Sequence, residues 1–344
     1  MEPGLYSVHR YPRRTRSARR DWLILSLFLG CLAMTALASR LSVGVGAGVR
    51  TASAAHLQAR HPAKPAAKVK TAAAVSAVTL PPLAAAPFSW DYRWISVHPG
   101  AGPLLHARSA ILVDVDSRRV LAMRQPHLRT PMASTTKLMT AMVALDNAQP
   151  WTVITMPPIV AQMPPTIMGL SPGETLSVKD TMFGMLLWSG NDAAEAFAAG
   201  IIPRDQFIQQ MNAKAAQMGL TDTHFVNPTG IDDPDHYSSP HDLAIMAAYA
   251  YAHYPLIAQV VGTKDYVISA TSHNKAFFPE NFNRLLWSYP GAIGFKTGQT
   301  DAAGFCVVSG ATRGRHTLVA VVLDDNLSFT DSTALLNYGF TQVK

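Results

Sequence analysis

Cysteine is nearly missing from this 344-residue chain, which has only Cys31 and Cys306. Cys31 lies in an apolar N-terminal run and Cys306 in the apolar stretch Phe305-Cys306-Val307-Val308, so the two are not expected to pair. Without a disulfide framework the fold has to rest on its core, and a folded part of about 250 residues can supply one. Cys306 is expected to be a small buried hydrophobe. Acid is scarce at one end: residues 41–88 contain none, and residues 1–88 hold twelve Lys or Arg against Glu2 and Asp21. Residues 89–344 hold seventeen Lys or Arg and twenty acids, so the net charge of +7 belongs to the N-terminal segment. A slightly acidic folded part excludes a nucleic-acid surface there. There is no internal repeat. No spacing of His, Cys or acid matches a standard metal site, and neither metal nor cofactor is expected. The nearest approach, Asp232-Asp233-Pro234-Asp235-His236 with His241, is expected to serve structure, with Asp242 starting a helix.

The N-terminus carries a targeting pattern. Arg10, Arg13, Arg14, Arg16, Arg19 and Arg20 precede eighteen uncharged residues, Trp22 to Ser39, and Arg40 closes the run. That length is close to the roughly 20 residues needed to span a bilayer. Arginines on its N-terminal side put that end in the cytoplasm and the chain after residue 40 outside. Two outcomes stay open. Ala36-Leu37-Ala38 fits a cleavage site near Ala38 and a secreted product. The run is long for a signal peptide, which favours an uncleaved anchor on the cytoplasmic membrane. Residues 41–88, rich in Ala, Val, Pro and Lys, are expected to form a linker. Residues 89–344 are expected to form the globular domain.

Within that domain, Ala110–Asp116 and Val120–Met123 predict a hairpin. Helices are predicted from Ser134 to about Ala148, from Val178 to Trp188, from Phe207 to Met218 and from Asp242 to Tyr251. Ser177 with Asp180 makes a capping-box-like start for the second. Gly304–Ala311 and Thr317–Leu323 flank Arg313-Gly314-Arg315 as a second hairpin, and Ser332–Tyr338 closes the chain as a short helix. Helices between an early and a late hairpin imply an α+β domain whose sheet is assembled from both ends of the chain.

Three short motifs carry chemistry. In Ser134-Thr135-Thr136-Lys137 the serine and lysine share a helix face at i and i+3. A serine hydroxyl needs a base to take its proton, and a neutral Lys137 can be that base. For half of it to be neutral near pH 7 its pKa must fall by about 3 units, roughly 4 kcal/mol, which burial and a neighbouring cation can supply. Alone, the motif is equally a capped helix bearing an exposed lysine. Ser189-Gly190-Asn191 follows an apolar helix and offers a hydroxyl to relay a proton and an amide to bind a peptide group. Its other reading is a helix-ending turn. Lys296-Thr297-Gly298 follows the apolar strand Ala292–Phe295. Lys296 and Thr297 can hold a carboxylate, and Gly298 lets a ligand approach the strand backbone. Its other reading is a strand end with a turn.

The three occur in the order S-x-x-K, S-x-N, K-T-G, with 55 residues from Ser134 to Ser189 and 105 from Asn191 to Lys296. In that combination the chain resembles the penicillin-interacting serine enzymes. Ala133–Ala141, Leu187–Ala194, His224–Gly230 and Lys296–Gly304 resemble the low-molecular-mass D-alanyl-D-alanine carboxypeptidases, and the resemblance runs from about Ala107 to Phe340. It implies a β-lactamase/transpeptidase-like domain, an antiparallel sheet with a helical subdomain. It implies a peptidoglycan stem peptide as substrate and β-lactam antibiotics as covalent inhibitors. It further implies roles. Ser134 attacks the carbonyl between two terminal D-alanines and Lys137 takes its proton. Ser189 shuttles a proton to the leaving amine, and Asn191 binds the substrate amide and helps position Lys137. Lys296 and Thr297 face the terminal carboxylate, next to Gly298. The backbone N–H groups of Ser134 and Gln299 form the oxyanion hole.

Two departures from the family pattern stand out. Many relatives carry an arginine shortly before the closing Leu-Leu-x-Tyr-Gly-Phe segment, whereas Asn326–Ala334 contains none. Carboxylate capture then falls to Lys296 and Thr297, with Arg284 a further candidate. Several relatives also continue into a β-domain and a C-terminal anchor, a task that here falls to residues 22–39. A β-lactamase needs a deacylating Glu in an E-x-x-L-N loop, and Glu280 lies too near Lys296 to provide it. A low-turnover wall-binding or penicillin-sensing protein is the alternative outside catalysis, and DD-endopeptidase or weak β-lactamase activity the alternative within it.

Overall fold

The computed structural model describes residues 80 and 82–343. The apolar segment 22–39, Cys31 and most of the 41–88 linker lie outside them. The described residues belong to one unit, Ala73–Lys344. Leu83 and Phe88 already lean on its core, and Phe88 stacks on Trp90.

The elements run α1 (Arg93–Ser96), β1 (Ser109–Asp114), β2 (Arg119–Arg124), α2 (Lys137–Asn147), β3 (Val153–Thr155), β4 (Thr175–Ser177), α3 (Val178–Leu187), α4 (Asn191–Gly200), α5 (Arg204–Gln217), α6 (Pro240–His253), α7 (Pro255–Val261), α8 (Leu285–Ser288), β5 (Ala292–Thr300), β6 (Gly304–Arg313), β7 (His316–Leu323) and α9 (Ser328–Gln342). Five strands form one antiparallel sheet in the order β2-β1-β7-β6-β5. The first and last hairpins meet along β1 and β7, Ser109 opposite Leu323 through Asp114 opposite Leu318. The sheet is thus drawn from both ends of the chain, as expected, and β5 is left at an edge. β3 and β4 pair separately.

Strand alternation sends the two faces into different cores. On β7, Val319, Val321 and Leu323 join the cluster shared with α2 to α7, while Leu318, Ala320 and Val322 join one capped by Leu335 and Leu336 of α9. A sheet covered on both faces explains why Ile111-Leu112-Val113 is an unbroken apolar run rather than an alternating one. α6 is the central helix: Ser239 accepts from Asp242 N–H at its start, Pro240 fills the first turn, and Leu243 to Ala250 are buried throughout. Among the described residues no single helix is long and apolar enough to cross a membrane. The apolar pair α6–α7 is bent by 111°.

Several boundaries differ from expectation. The helix predicted from Ser134 to Ala148 is a 3₁₀ turn, Ala133–Thr136, followed by α2 from Lys137. Ala133 has φ 48°, and the Thr135 and Thr136 hydroxyls bond back to the carbonyls of Met132 and Ala133, which tightens that first turn. α9 is about twice its expected length, because the polar Ser328–Asp331 stretch is its first turn: buried Asp331 accepts from the His106 and Ala107 N–H groups. α4, in the Ala-rich Asn191–Gly200 stretch, had no counterpart among the predicted helices. Cys306 is buried, as expected, with its thiol held to the Ala303 carbonyl.

Candidate active site

Lys137 begins α2 with its side chain fully buried, not exposed as in a simple capped helix. Its Nζ meets three oxygens: Ser134 Oγ at 2.8 Å, Asn191 Oδ1 at 2.8 Å and the Thr229 carbonyl at 2.7 Å. Two of these can only accept, and the third, a hydroxyl, can also donate. A neutral amine has two N–H donors and one lone pair, so it satisfies all three if the lone pair receives the Ser134 hydroxyl proton. No carboxylate touches Nζ among the described residues. Burial holds the Lys137 pKa well below the usual lysine range, and the charge of Lys296 adds to the effect against the pull of Asp192.

Each partner is fixed by local structure. Asn191 opens α4, and its Nδ2 donates to the Pro164 carbonyl, so its oxygen is turned toward Lys137. Asp192 accepts from the N–H groups of Met168, Gly169 and Leu170 and pins that loop beside the helix start. Ser189, 5 % exposed, sits in the α3–α4 turn with φ 63°. Among the described residues its hydroxyl makes no bond to Ser134 or Lys137. The Thr229 carbonyl belongs to a tight loop folded around Asn227, whose Oδ1 accepts from Thr229 N–H, Gly230 N–H and the Thr229 hydroxyl. Thr140 of α2 ties the same loop through the Pro228 carbonyl.

Lys296 is 1 % exposed, and burial lowers its pKa from 10.5 to about 7. Its Nζ donates to the Thr297 carbonyl at 2.9 Å. Thr297 is half-buried and Gln299 exposed on the same strand. The K-T-G segment does not end a strand: β5 runs through it to Thr300, because residues 294–300 keep pairing with β6. Gly298 lies against the turn that bears Ser134. A Cβ there would stand 2.9 Å from Ser134 N and 2.9 Å from Ala133 Cβ, so the space is taken by the turn bearing Ser134.

The structure thus joins Ser134, Lys137 and Asn191 by direct bonds, with Gly298 packed on Ser134 and Lys296 near enough to act on Lys137. Ser189, Thr297 and Gln299 flank these in the chain. Arg284 is exposed at the start of α8, and among the described residues no bond joins its side chain to a site residue. Sequence reasoning overlooked Thr229, Asp192 and Pro164; the Asn227-Pro228-Thr229-Gly230 turn signature was the available signal for the first. Asp232 accepts from Thr300 Oγ1 at 2.6 Å and Ala302 N at 3.1 Å, bridging that loop to the β5–β6 turn. His241 bonds Asp242, and His236 bonds Thr136. Among the described residues no group of three or more His, Cys or acidic side chains is arranged to hold a metal ion.

A base, a hydroxyl and a buried cation on an edge strand suit acyl transfer to an anionic peptide end, and known proteins point the same way. DacF of Bacillus subtilis, a D-alanyl-D-alanine carboxypeptidase, is 35% identical over 69% of this chain and 62% of its own length. DacB2 of Mycobacterium tuberculosis, bearing the same description, is 35% identical over 68% of this chain and 82% of its own. This chain therefore spans less than two thirds of DacF. Among solved structures, a Streptomyces DD-transpeptidase superposes with a TM-score of 0.65 at 32% identity, covering 70% of this chain and 99% of that one. A D-alanyl-D-alanine carboxypeptidase from Mycobacterium tuberculosis gives 0.65 at 34%, covering 71% and 95%. The fold is accordingly the α+β fold of the penicillin-binding DD-peptidases. The peptidase S11 family model, described as D-alanyl-D-alanine carboxypeptidase, matches residues 97–327, and the chain belongs to that family.

Proposed function

We propose that this protein is a serine D-alanyl-D-alanine carboxypeptidase that removes the terminal D-Ala of peptidoglycan pentapeptides. The observation that carries this is the Lys137 amine, buried between one hydroxyl and two carbonyls. Ser134 Oγ attacks the penultimate D-Ala carbonyl carbon while its proton passes to Lys137 Nζ. The carbonyl oxygen becomes an oxyanion held by the Ser134 and Gln299 N–H groups, each such donor being worth about 3 kcal/mol. The C–N bond breaks, Ser189 delivers the proton from Lys137 to the leaving nitrogen, and free D-Ala departs. Water, deprotonated by the same route in reverse, attacks the ester and frees Ser134. Asn191 holds Lys137 in place and offers its amide to the substrate, while Lys296 and Thr297 face the terminal carboxylate beside Gly298. These proton transfers use side chains alone, so no cofactor is called for.

A β-lactam is attacked by the same hydroxyl and stays as an ester, so penicillins act as covalent inhibitors. The action is extracytoplasmic. Residues 22–39 hold the protein to the cytoplasmic membrane or are cleaved near Ala38, residues 41–88 form the stalk, and 89–344 the catalytic domain. A second reading, DD-transpeptidase or endopeptidase activity, is favoured by the likeness to the Streptomyces enzyme and by the absence of an arginine from Asn326–Ala334. The test is incubation of the purified chain with pentapeptide muropeptides and mass analysis of the products. Release of D-Ala, lost in Ser134→Ala, supports the first reading; products joined to a second stem support the other. If Ser134→Ala still takes up labelled penicillin covalently, both are wrong.

A further inference from the structure

His236 lies behind the nucleophile's turn, 2 % exposed. Its Nδ1 accepts from Val226 N–H at 3.2 Å, which fixes the tautomer and leaves the proton on Nε2. Nε2–H points to Thr136 Oγ1 at 2.8 Å, and the Thr136 hydroxyl donates to the Ala133 carbonyl at 2.8 Å. A threonine bonding back to its i−3 carbonyl is routine in a first turn. A buried imidazole donating into that hydroxyl is not, and the peptide it reaches is a particular one. The Ala133 carbonyl and the Ser134 N–H are two ends of the same amide. That amide is held in a left-handed conformation, Ala133 φ 48°. It is flanked by two glycines. A Cβ on Gly230 would come within 1.9 Å of the Ala133 oxygen and one on Gly298 within 2.9 Å of the Ser134 nitrogen. Burial lowers the His236 pKa to about 4, which keeps the ring neutral and the chain of donors in one direction.

We infer that His236 and Thr136 are positioning residues for the oxyanion site: through the Ala133 carbonyl they fix and polarise the Ala133–Ser134 amide so that the Ser134 N–H is aimed at the substrate's carbonyl oxygen. A carbonyl that accepts a hydrogen bond makes the N–H of its own amide a stronger donor, and successive bonds reinforce one another. The isolated hydroxyl–carbonyl bond sets the angle of the amide. The histidine holds the hydroxyl to that task, since Thr136 has no other acceptor among the described residues. The inference rests on the acyl-transfer reading above.

The test is stopped-flow acylation by a fluorescent penicillin, resolving the noncovalent dissociation constant from the acylation rate constant. It compares the wild-type chain with Thr136→Val, Thr136→Ser, His236→Phe and the Val/Phe double variant. Thr136→Val and His236→Phe are expected to slow acylation by about 10- to 100-fold, less than outright removal of an oxyanion donor, with the dissociation constant within about threefold of wild type. Thr136→Ser, which keeps the hydroxyl, stays within about threefold in both. Because the two residues act in series, the double variant is no slower than the slower single one. Unchanged acylation in Thr136→Val, an equal loss in the dissociation constant, or a Thr136→Ser as slow as Thr136→Val overturns the inference. If Thr136→Val lacks a cooperative melting transition, His236→Phe decides by the same two constants. A wild-type chain that is not acylated removes the acyl-transfer reading as well; a wild type that reacts alongside unaffected variants removes only this one.

Discussion

A primary amine facing two carbonyls and one hydroxyl is better served neutral than charged. In the proposed reaction Lys137 therefore has to lose its proton before it can act, and Lys296 has to keep one to attract a carboxylate. Their needs oppose each other, and burial pushes both pKa values down. The expected pH profile of kcat/KM is a bell. It rises as Lys137 deprotonates and falls as Lys296 does, at about pH 7 in the free enzyme. A bound carboxylate favours the charged Lys296, so the alkaline limb of kcat is displaced upward from that of kcat/KM. Steady-state D-Ala release from pH 5 to pH 10 measures both limbs; a kcat/KM still climbing at pH 10 contradicts the scheme. Lys137→Arg keeps the charge but cannot act as a base. A loss of about 10³- to 10⁴-fold in acylation is expected, read by fluorescent-penicillin labelling.

At the level of elements, the site depends on a strand and a turn approaching with nothing between them. β5 lies against the 3₁₀ turn at Gly298, and the Asn227–Gly230 loop lies against it at Gly230. Gly298→Ala places a methyl 2.9 Å from Ser134 N, a contact relieved only by parting β5 from the turn. Acylation is expected to fall by about 100-fold, through a displacement on the order of an ångström, while the melting temperature drops by only a few degrees. Gly230→Ala meets backbone at 1.9 Å with φ at 89°, so there the loss is of the fold itself. Circular dichroism melts alongside penicillin labelling separate the two; a Gly298→Ala enzyme at full rate would contradict the packing argument. Both hairpins and the run from Lys137 onward were legible in the sequence: short apolar runs bounded by turn residues mark the strands, and Leu138, Met142 and Leu145 at helical spacing mark the helix. The 3₁₀ turn, the continuation of β5 through Thr300, and the Thr229 carbonyl were not. Each depends on a partner distant in sequence: Thr136 on His236, β5 on β6, Lys137 on a loop 92 residues away. A motif names side chains, but the Thr229 carbonyl that meets Lys137 is backbone, and no motif names it.

For the whole molecule, the buried site sets how stability varies with pH. Lys296 folds with its pKa lowered from 10.5 to about 7, so between those values the unfolded chain binds more protons than the folded one. Stability then rises with pH across that window, and below about 7 the full cost of the buried charge is present. Lys137 acts in the same direction. His236, lowered by burial from 6.5 to about 4, adds a loss of stability as pH falls between those two values. Cys306 opposes the lysines above pH 9, since burial lifts its thiol from 9.0 to about 12 and keeps the folded state protonated there. The lysines are therefore read most cleanly between pH 7 and 9. Lys296→Met fills the same space without the charge and is expected to melt several degrees higher at pH 7, a gain on the order of 1–4 kcal/mol. Its melting temperature should also rise less between pH 7 and 9 than that of wild type. The same variant should lose most of its kcat/KM for a D-Ala-terminated peptide, a stability gain set against function. Differential scanning calorimetry of both chains at pH 7, 8 and 9 tests this. A Lys296→Met chain that melts at or below wild type at pH 7 would mean that Lys296 is solvated or paired in solution, and the account of a buried cation awaiting a carboxylate would fall with it.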